Sequence, residues 1–147
     1  GNNNNNMTLK EYVNQVGKRS DGYNMTPLMA AAENEHFQIV KYLIEQGEAD
    51  PNIANSYGKN ALHCAAWYNS TNTELIELLL THMSPDSINK KTSWMEYTPL
   101  DLAYGSRNAS PNIKQEIIAL LRSKGGKANY YDENGRRVGD GNGDLNH

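Results

Sequence analysis

Three runs of apolar residues in this chain recur at helical spacing and share one internal order. In the first, Phe37, Ile39, Val40, Leu43 and Ile44 fall on one face of a helix. Leu75-Ile76 with Leu78-Leu79-Leu80 repeats the arrangement, and Ile117-Ile118 with Leu120-Leu121 repeats it again. Each run follows a shorter apolar phrase: Thr26-Pro27-Leu28-Met29-Ala30-Ala31-Ala32, then Asn60-Ala61-Leu62-His63-Cys64-Ala65-Ala66, then Thr98-Pro99-Leu100-Asp101-Leu102-Ala103. Thr26 suits an N-cap and Pro27 the first helical position, where its missing N–H costs nothing. The alanines after Leu28 predict a short helix that a neighbour can approach closely. Glu33-Asn34-Glu35 then predicts a tight turn before the longer apolar helix, which Gly47 ends. Asp50-Pro51-Asn52-Ile53 cannot continue a helix, and Asn55-Ser56-Tyr57-Gly58 reads as a turn projecting away from the pair.

The unit therefore recurs as helix, turn, helix and hairpin. Leu28, Leu62 and Leu100 stand 34 and then 38 residues apart, a period that predicts stacked copies of one supersecondary unit. The copies are not identical. Leu28 to Ile39 is 11 residues, Leu62 to Leu75 is 13 and Leu100 to Ile117 is 17. Ser110-Pro111 explains part of the last step, because an N-cap and a first-turn proline start that helix about one turn early. Four extra residues between Leu80 and Thr98 predict an irregular hairpin between the second and third copies.

The combination of Thr-Pro-Leu-x-x-Ala, the apolar second helix and the exit at Asp50-Pro51-Asn52 resembles the ankyrin repeat. The resemblance runs from residue 21 to about 136, with hairpin motifs at Asp21…Asn24, Asn55…Gly58 and Asp132…Gly135. It implies an all-α repeat solenoid, an ankyrin-like stack of helix-turn-helix units joined by hairpin loops. The expected organisation is a disordered Asn-rich segment at 1–7, an N-terminal capping helix within 8–20 and repeats at 21–54, 55–92 and 93–128. A partial fourth hairpin or C-terminal cap at 129–138 and a disordered tail at 139–147 complete it. Within the cap, a helix over 8–17 would place Leu9, Tyr12, Val13 and Val16 on one face. The fourth hairpin either closes the stack or begins a longer array. The family's histidine after leucine survives only as His63; Asp101 stands there in the third copy, three residues after Thr98, where it would complete a capping box. Glu96 replaces the hairpin glycine of that copy.

Composition narrows the function classes. A net charge of −3 with a pI near 5.8 gives no broad electrostatic reason to bind nucleic acid. No run approaches the ~20 apolar residues that span a bilayer, so membrane insertion is not expected. The polar start offers no secretory signal, and the lone Cys64 fits a reducing compartment. These features predict an intracellular, cytoplasmic and monomeric protein.

Catalytic and cofactor chemistry find little purchase. His63-Cys64 lacks the spaced ligand pairs that zinc needs, and the resemblance gives His63 a hydrogen-bonding role at the start of its helix. Gly125-Gly126-Lys127 follows a helix, the wrong polarity for a phosphate cradle. Glu33, Glu35, Glu74 and Glu77 fall on expected solvent faces. Neither a cofactor nor an enzyme activity is expected. Proteins of this family bind partners along the hairpin tips and inner helices. Counted onto this sequence, the tips carry Tyr23 and Met25, then Tyr57 and Lys59, then Trp94, Met95 and Tyr97, while Trp67 and Tyr68 end the second copy's first helix. Tyr and Trp predominate among binding hot spots, which makes these the expected partner-binding residues. The competing reading packs some aromatics between neighbouring hairpins, Trp94 first among them. Lys59, Lys90 and Lys91 lie near the same tips; they would favour an acidic peptide, although solvated lysines are the plainer reading. The expected function is non-catalytic binding of a protein or peptide partner. The alternative is a docking or regulatory segment of a larger enzyme or channel.

Overall fold

The computed structural model describes residues 7–18 and 24–138. It contains three helix pairs: α2 (Pro27–Glu33) with α3 (Phe37–Glu45), α4 (Ala61–Tyr68) with α5 (Glu74–His82), and α7 (Pro99–Gly105) with α8 (Pro111–Ser123). Before them come α1 (Leu9–Val13), β1 (Gly17–Lys18) and β2 (Asn24–Met25), and α6 (Pro85–Ile88) lies between the second and third pairs. The short helices form the inner row, α2 packing on α4 and α4 on α7, and each also packs on its own longer partner. The architecture is a helix-turn-helix repeat solenoid.

Each inner helix starts as its local chemistry dictates. The Thr26 hydroxyl accepts from the Met29 amide, the Asn60 side chain from the Leu62 and His63 amides, and the Thr98 hydroxyl from the Asp101 amide. Asp101 closes the expected capping box by accepting from the Thr98 amide at 2.8 Å. The small residues Ala31, Ala32, Ala65, Ala66 and Ala103 are buried, so backbones approach closely and the leucines seal between them. Leu28, Leu62 and Leu100 are fully buried. Each contributes on the order of 2 kcal/mol through burial.

Asparagines tie one unit to the next. The Asn14 side chain donates to the Glu48 carbonyl and accepts from the Asp50 amide. Asn52 accepts from the Ser84 amide, and Asn89 donates to the Gly125 carbonyl while accepting from the Lys127 amide. Glu35 adds a further tie, against the expectation of a solvent-facing carboxylate. It accepts from the Ser70 amide and hydroxyl, each at 2.8 Å, and from the Thr71 hydroxyl at 3.1 Å. Burial alone would raise its pKa, but these donors outweigh that and hold it below the ordinary value.

The expected capping helix is shorter than residues 8–17. α1 ends at Val13 because Asn14 turns toward the 48–50 loop, and the chain then pairs Gly17 with Met25 and Lys18 with Asn24. Of the face expected to be buried, Val13 packs on the core whereas Leu9 and Tyr12 are exposed. The longer third outer helix is as expected, with 13 residues in α8 against 9 in α3 and in α5. The extra residues before Thr98 form α6, capped by Ser84 and anchored by buried Ile88.

The irregular hairpin is also present. The Asn55 amide bonds to the Lys59 carbonyl and the Asp132 amide to the Arg136 carbonyl, but the Thr92 amide reaches one residue further, to Tyr97. Glu96 holds the left-handed conformation there, with φ of 56°. A side chain in that region is strained where glycine is not. We expect Glu96→Gly to raise unfolding stability by about 0.5–1 kcal/mol in urea titration, since Glu96 bonds through its backbone. A loss of stability would show that the glutamate side chain contributes more than the strain costs.

Candidate functional site

The hairpins owe their form to corner residues. The Asn55 carboxamide accepts from the Tyr57 and Lys59 amides, the Thr92 hydroxyl from the Tyr97 amide, and the Asp132 carboxylate from the Asn134 and Arg136 amides. Gly58 permits the closest approach: its φ is 76°, and a Cβ there would lie 2.8 Å from the Lys91 carbonyl oxygen. Neighbouring hairpins are bonded directly. The Ser93 amide donates to the Tyr57 carbonyl at 2.9 Å, and the Tyr130 hydroxyl to the Met95 carbonyl at 2.7 Å.

These hairpins and the inner helices enclose an open cavity of about 730 Å³. Tyr57 and Lys59 line it from the second hairpin, Trp94, Met95 and Tyr97 from the third, and Trp67 and Tyr68 from the end of α4. Leu102 and Gly105 of α7 also line it. A Cβ on Gly105 would stand 3.7 Å from the Trp67 ring, so glycine keeps that wall open. Trp94 is 89% exposed, which rules out its packing between hairpins. Met25 is not brought to this cavity; it sits on β2, partly buried against the core. Tyr23 lies outside the described residues.

Three lining residues escaped the sequence reading: Tyr130, Tyr131 and Arg137. They belong to the fourth hairpin, which was read only as an end cover. Tyr130 meets Tyr97 edge to face, with ring centroids 5.3 Å apart. Tyr131 stacks on Tyr104 at 4.5 Å, and burial pushes its phenol pKa up. Arg122 fixes this wall from behind, donating to the Tyr104 hydroxyl and to the Asp132 carbonyl. The signal available beforehand was the pair Tyr130-Tyr131 ahead of the corner Asp132.

The base of the cavity is held by two buried polar residues. The His63 Nε2–H donates to the Tyr97 carbonyl at 3.0 Å, while Nδ1 accepts from the Asn60 amide at 3.1 Å. Those partners select the neutral ring with its proton on Nε2. Burial pushes the His63 pKa down to about 4, and the nearby charges of Lys59 and Lys90 act in the same direction. Asp101 is buried, with Oδ1 accepting from the Asn129 and Tyr130 amides and Oδ2 from the Thr98 amide. Both residues are occupied with structural bonds, and Cys64 is buried beside them. Among the described residues no group of His, Cys, Asp and Glu is placed to hold a metal, and no helix is long and apolar enough to cross a membrane.

Comparison with known proteins agrees with this architecture. A family model for ankyrin repeats, spanning three copies, matches residues 2–92. The zinc finger CCCH domain-containing protein 29 of Arabidopsis thaliana is 31% identical over 114 residues, which cover 75% of this chain and 18% of that protein. Alpha-latrotoxin-Lg1a of Latrodectus geometricus is 28% identical over 122 residues, 80% of this chain and 8% of the toxin. The chain thus spans less than a fifth of the length of either relative. The helices α7 and α8 lie beyond the span matched by the family model, yet they begin with the same Thr-Pro-Leu cap.

Proposed function

This chain belongs to the ankyrin-repeat family, and we propose that it binds a protein partner through the aromatic cavity between its hairpins and inner helices. Ankyrin repeats are generally protein–protein interaction modules and generally non-catalytic. The observation that carries the reading is the exposure of Tyr57, Trp67, Tyr68 and Trp94 around one cavity. Large aromatic surfaces left in water are costly to the free protein and valuable at an interface. The hairpins are already ordered by their corner bonds, so binding loses little entropy in shaping them.

The test replaces Tyr57, Trp67 and Trp94 by alanine together and measures affinity for a partner captured from cell lysate. Affinity should fall at least about tenfold while the helical circular dichroism signal is retained. Unchanged affinity in a folded variant would remove the cavity from consideration.

A second reading follows from the small share of each relative that the chain covers. In it the stack is a docking or regulatory segment of a larger protein, and the same surface receives another part of that protein. Protection of the tips around Tyr57 and Trp94 from hydrogen exchange in the longer protein, relative to this chain alone, would favour that arrangement.

A further inference from the structure

Resting on the protein-binding reading, we propose that the cavity receives an acidic peptide segment, one large apolar side chain entering between the aromatic walls and flanking carboxylates meeting a cationic rim. The apolar half of the argument is the wall itself. Trp67, Tyr68, Trp94, Tyr97 and Leu102 present rings and an aliphatic chain to a space of about 730 Å³, within the usual size of a ligand pocket. A single aromatic or leucine side chain gains most from such a site, because aromatic surfaces there already exclude water on several sides.

Charge decides the rest. The chain as a whole is acidic, at −3, yet the side chains around this cavity are not. Lys59 and Arg137 line it. Lys90 lies close enough for its charge, with that of Lys59, to bear on His63, and the Lys91 carbonyl abuts Gly58 at the second hairpin tip. The single carboxylate in the lining is Asp101, which is only 3% exposed and already accepts three backbone amides. Glu96, at the crest of the third hairpin, is exposed but does not line the cavity. An incoming carboxylate therefore meets positive charge at short range, and encounter is steered accordingly. The aromatic walls would also suit a methylated lysine, because ring faces attract cations. Four neighbouring cations oppose that occupant, and Asp101 is spent on backbone donors.

The experiment selects random short peptides displayed on phage against the whole chain, then measures synthetic versions by intrinsic tryptophan fluorescence. Selected sequences should carry Asp or Glu on both sides of one Phe, Trp or Leu. The affinity of such a peptide should drop at least about tenfold in the double variant Lys59→Glu with Arg137→Glu. It should also drop as salt is raised. The exposed pair Lys90→Glu with Lys91→Glu gives the same direction without touching the cavity wall. Failure to enrich any peptide, selection of Lys- or Arg-rich peptides, or tighter binding of a trimethyllysine peptide would each overturn the proposal. Basic peptides whose binding is lost on Trp67→Ala would still leave the aromatic cavity as a binding site. Acidic peptides indifferent to both Trp67→Ala and Trp94→Ala would remove the cavity along with the charge assignment.

Discussion

Asp101→Ala is expected to destabilise the protein by about 3 kcal/mol and to release the fourth hairpin, because one carboxylate joins three pieces of backbone. Its Oδ2 receives the Thr98 amide at 2.8 Å, closing the cap of α7. Its Oδ1 receives the Asn129 and Tyr130 amides, both at 2.8 Å, which pins the chain entering the last hairpin to that helix. Truncation orphans all three donors. Hydrogen bonds to a charged acceptor contribute more than neutral ones, and a buried donor left unpaired costs on the order of 1–3 kcal/mol. Against a total stability of about 5–15 kcal/mol for a domain, such a loss is large. Asp101→Asn keeps one acceptor oxygen and should lose less. Urea titration followed by circular dichroism measures both. Cleavage of the 129–138 segment by a protease should increase in Asp101→Ala before global unfolding begins. A change below about 1 kcal/mol, within the range of a single neutral hydrogen bond, would mean that water replaces the carboxylate. Because Tyr130 and Tyr131 form one wall of the cavity, the same variant should weaken partner binding.

Much of this arrangement was legible because it is local. N-caps, first-turn prolines and a capping box act within four residues, so Thr26, Thr98, Asp101 and Ser110 announced their roles by spacing alone. The apolar periods identified the outer helices for the same reason. What stayed hidden lies one repeat away. Glu35 reaches Ser70 and Thr71, Asn14 reaches the 48–50 loop, and Asn89 reaches Gly125 and Lys127; each bond exists only once neighbouring units have stacked. The length of α1 failed on similar grounds. Its helical period continues to Val16, but Asn14 finds better partners in the next unit, and Gly17 is drawn into pairing with Met25. At the cavity, the tip residues were legible from hairpin corners, whereas Tyr130 and Tyr131 precede their corner and looked like end cover. Only the fold of the last hairpin back onto α7 brings them round.

Acidification should unfold the protein over a window that His63 sets. The unfolded histidine titrates near its ordinary value of 6.5, while the buried ring in the native state protonates only at about 4. The native state thus binds fewer protons than the unfolded chain between these values. Stability is fully present above 6.5, declines as pH falls through the window and levels off below about 4. The span corresponds to about 3 kcal/mol, at about 1.4 kcal/mol for each unit of pKa. The cause is structural. A second ring proton would face the Asn60 amide, itself a donor, and would add charge beside Lys59 and Lys90. Glu35 works in the same direction at lower pH, since its depressed pKa gives stability that is present above 4.5 and lost as pH falls through the native value. His63→Gln separates the two contributions. That variant should be less stable at neutral pH, yet nearly flat across the histidine window, with the residual acid response left to the carboxylates. Urea midpoints taken through the window would test this, and parallel curves for the two proteins would show that the ring is not the titrating group. The Tyr97 carbonyl that accepts from His63 belongs to the third hairpin, so partner binding should weaken over the same pH range in the native protein and not in the variant. Recognition at the tips and stability at the base would then respond to one proton.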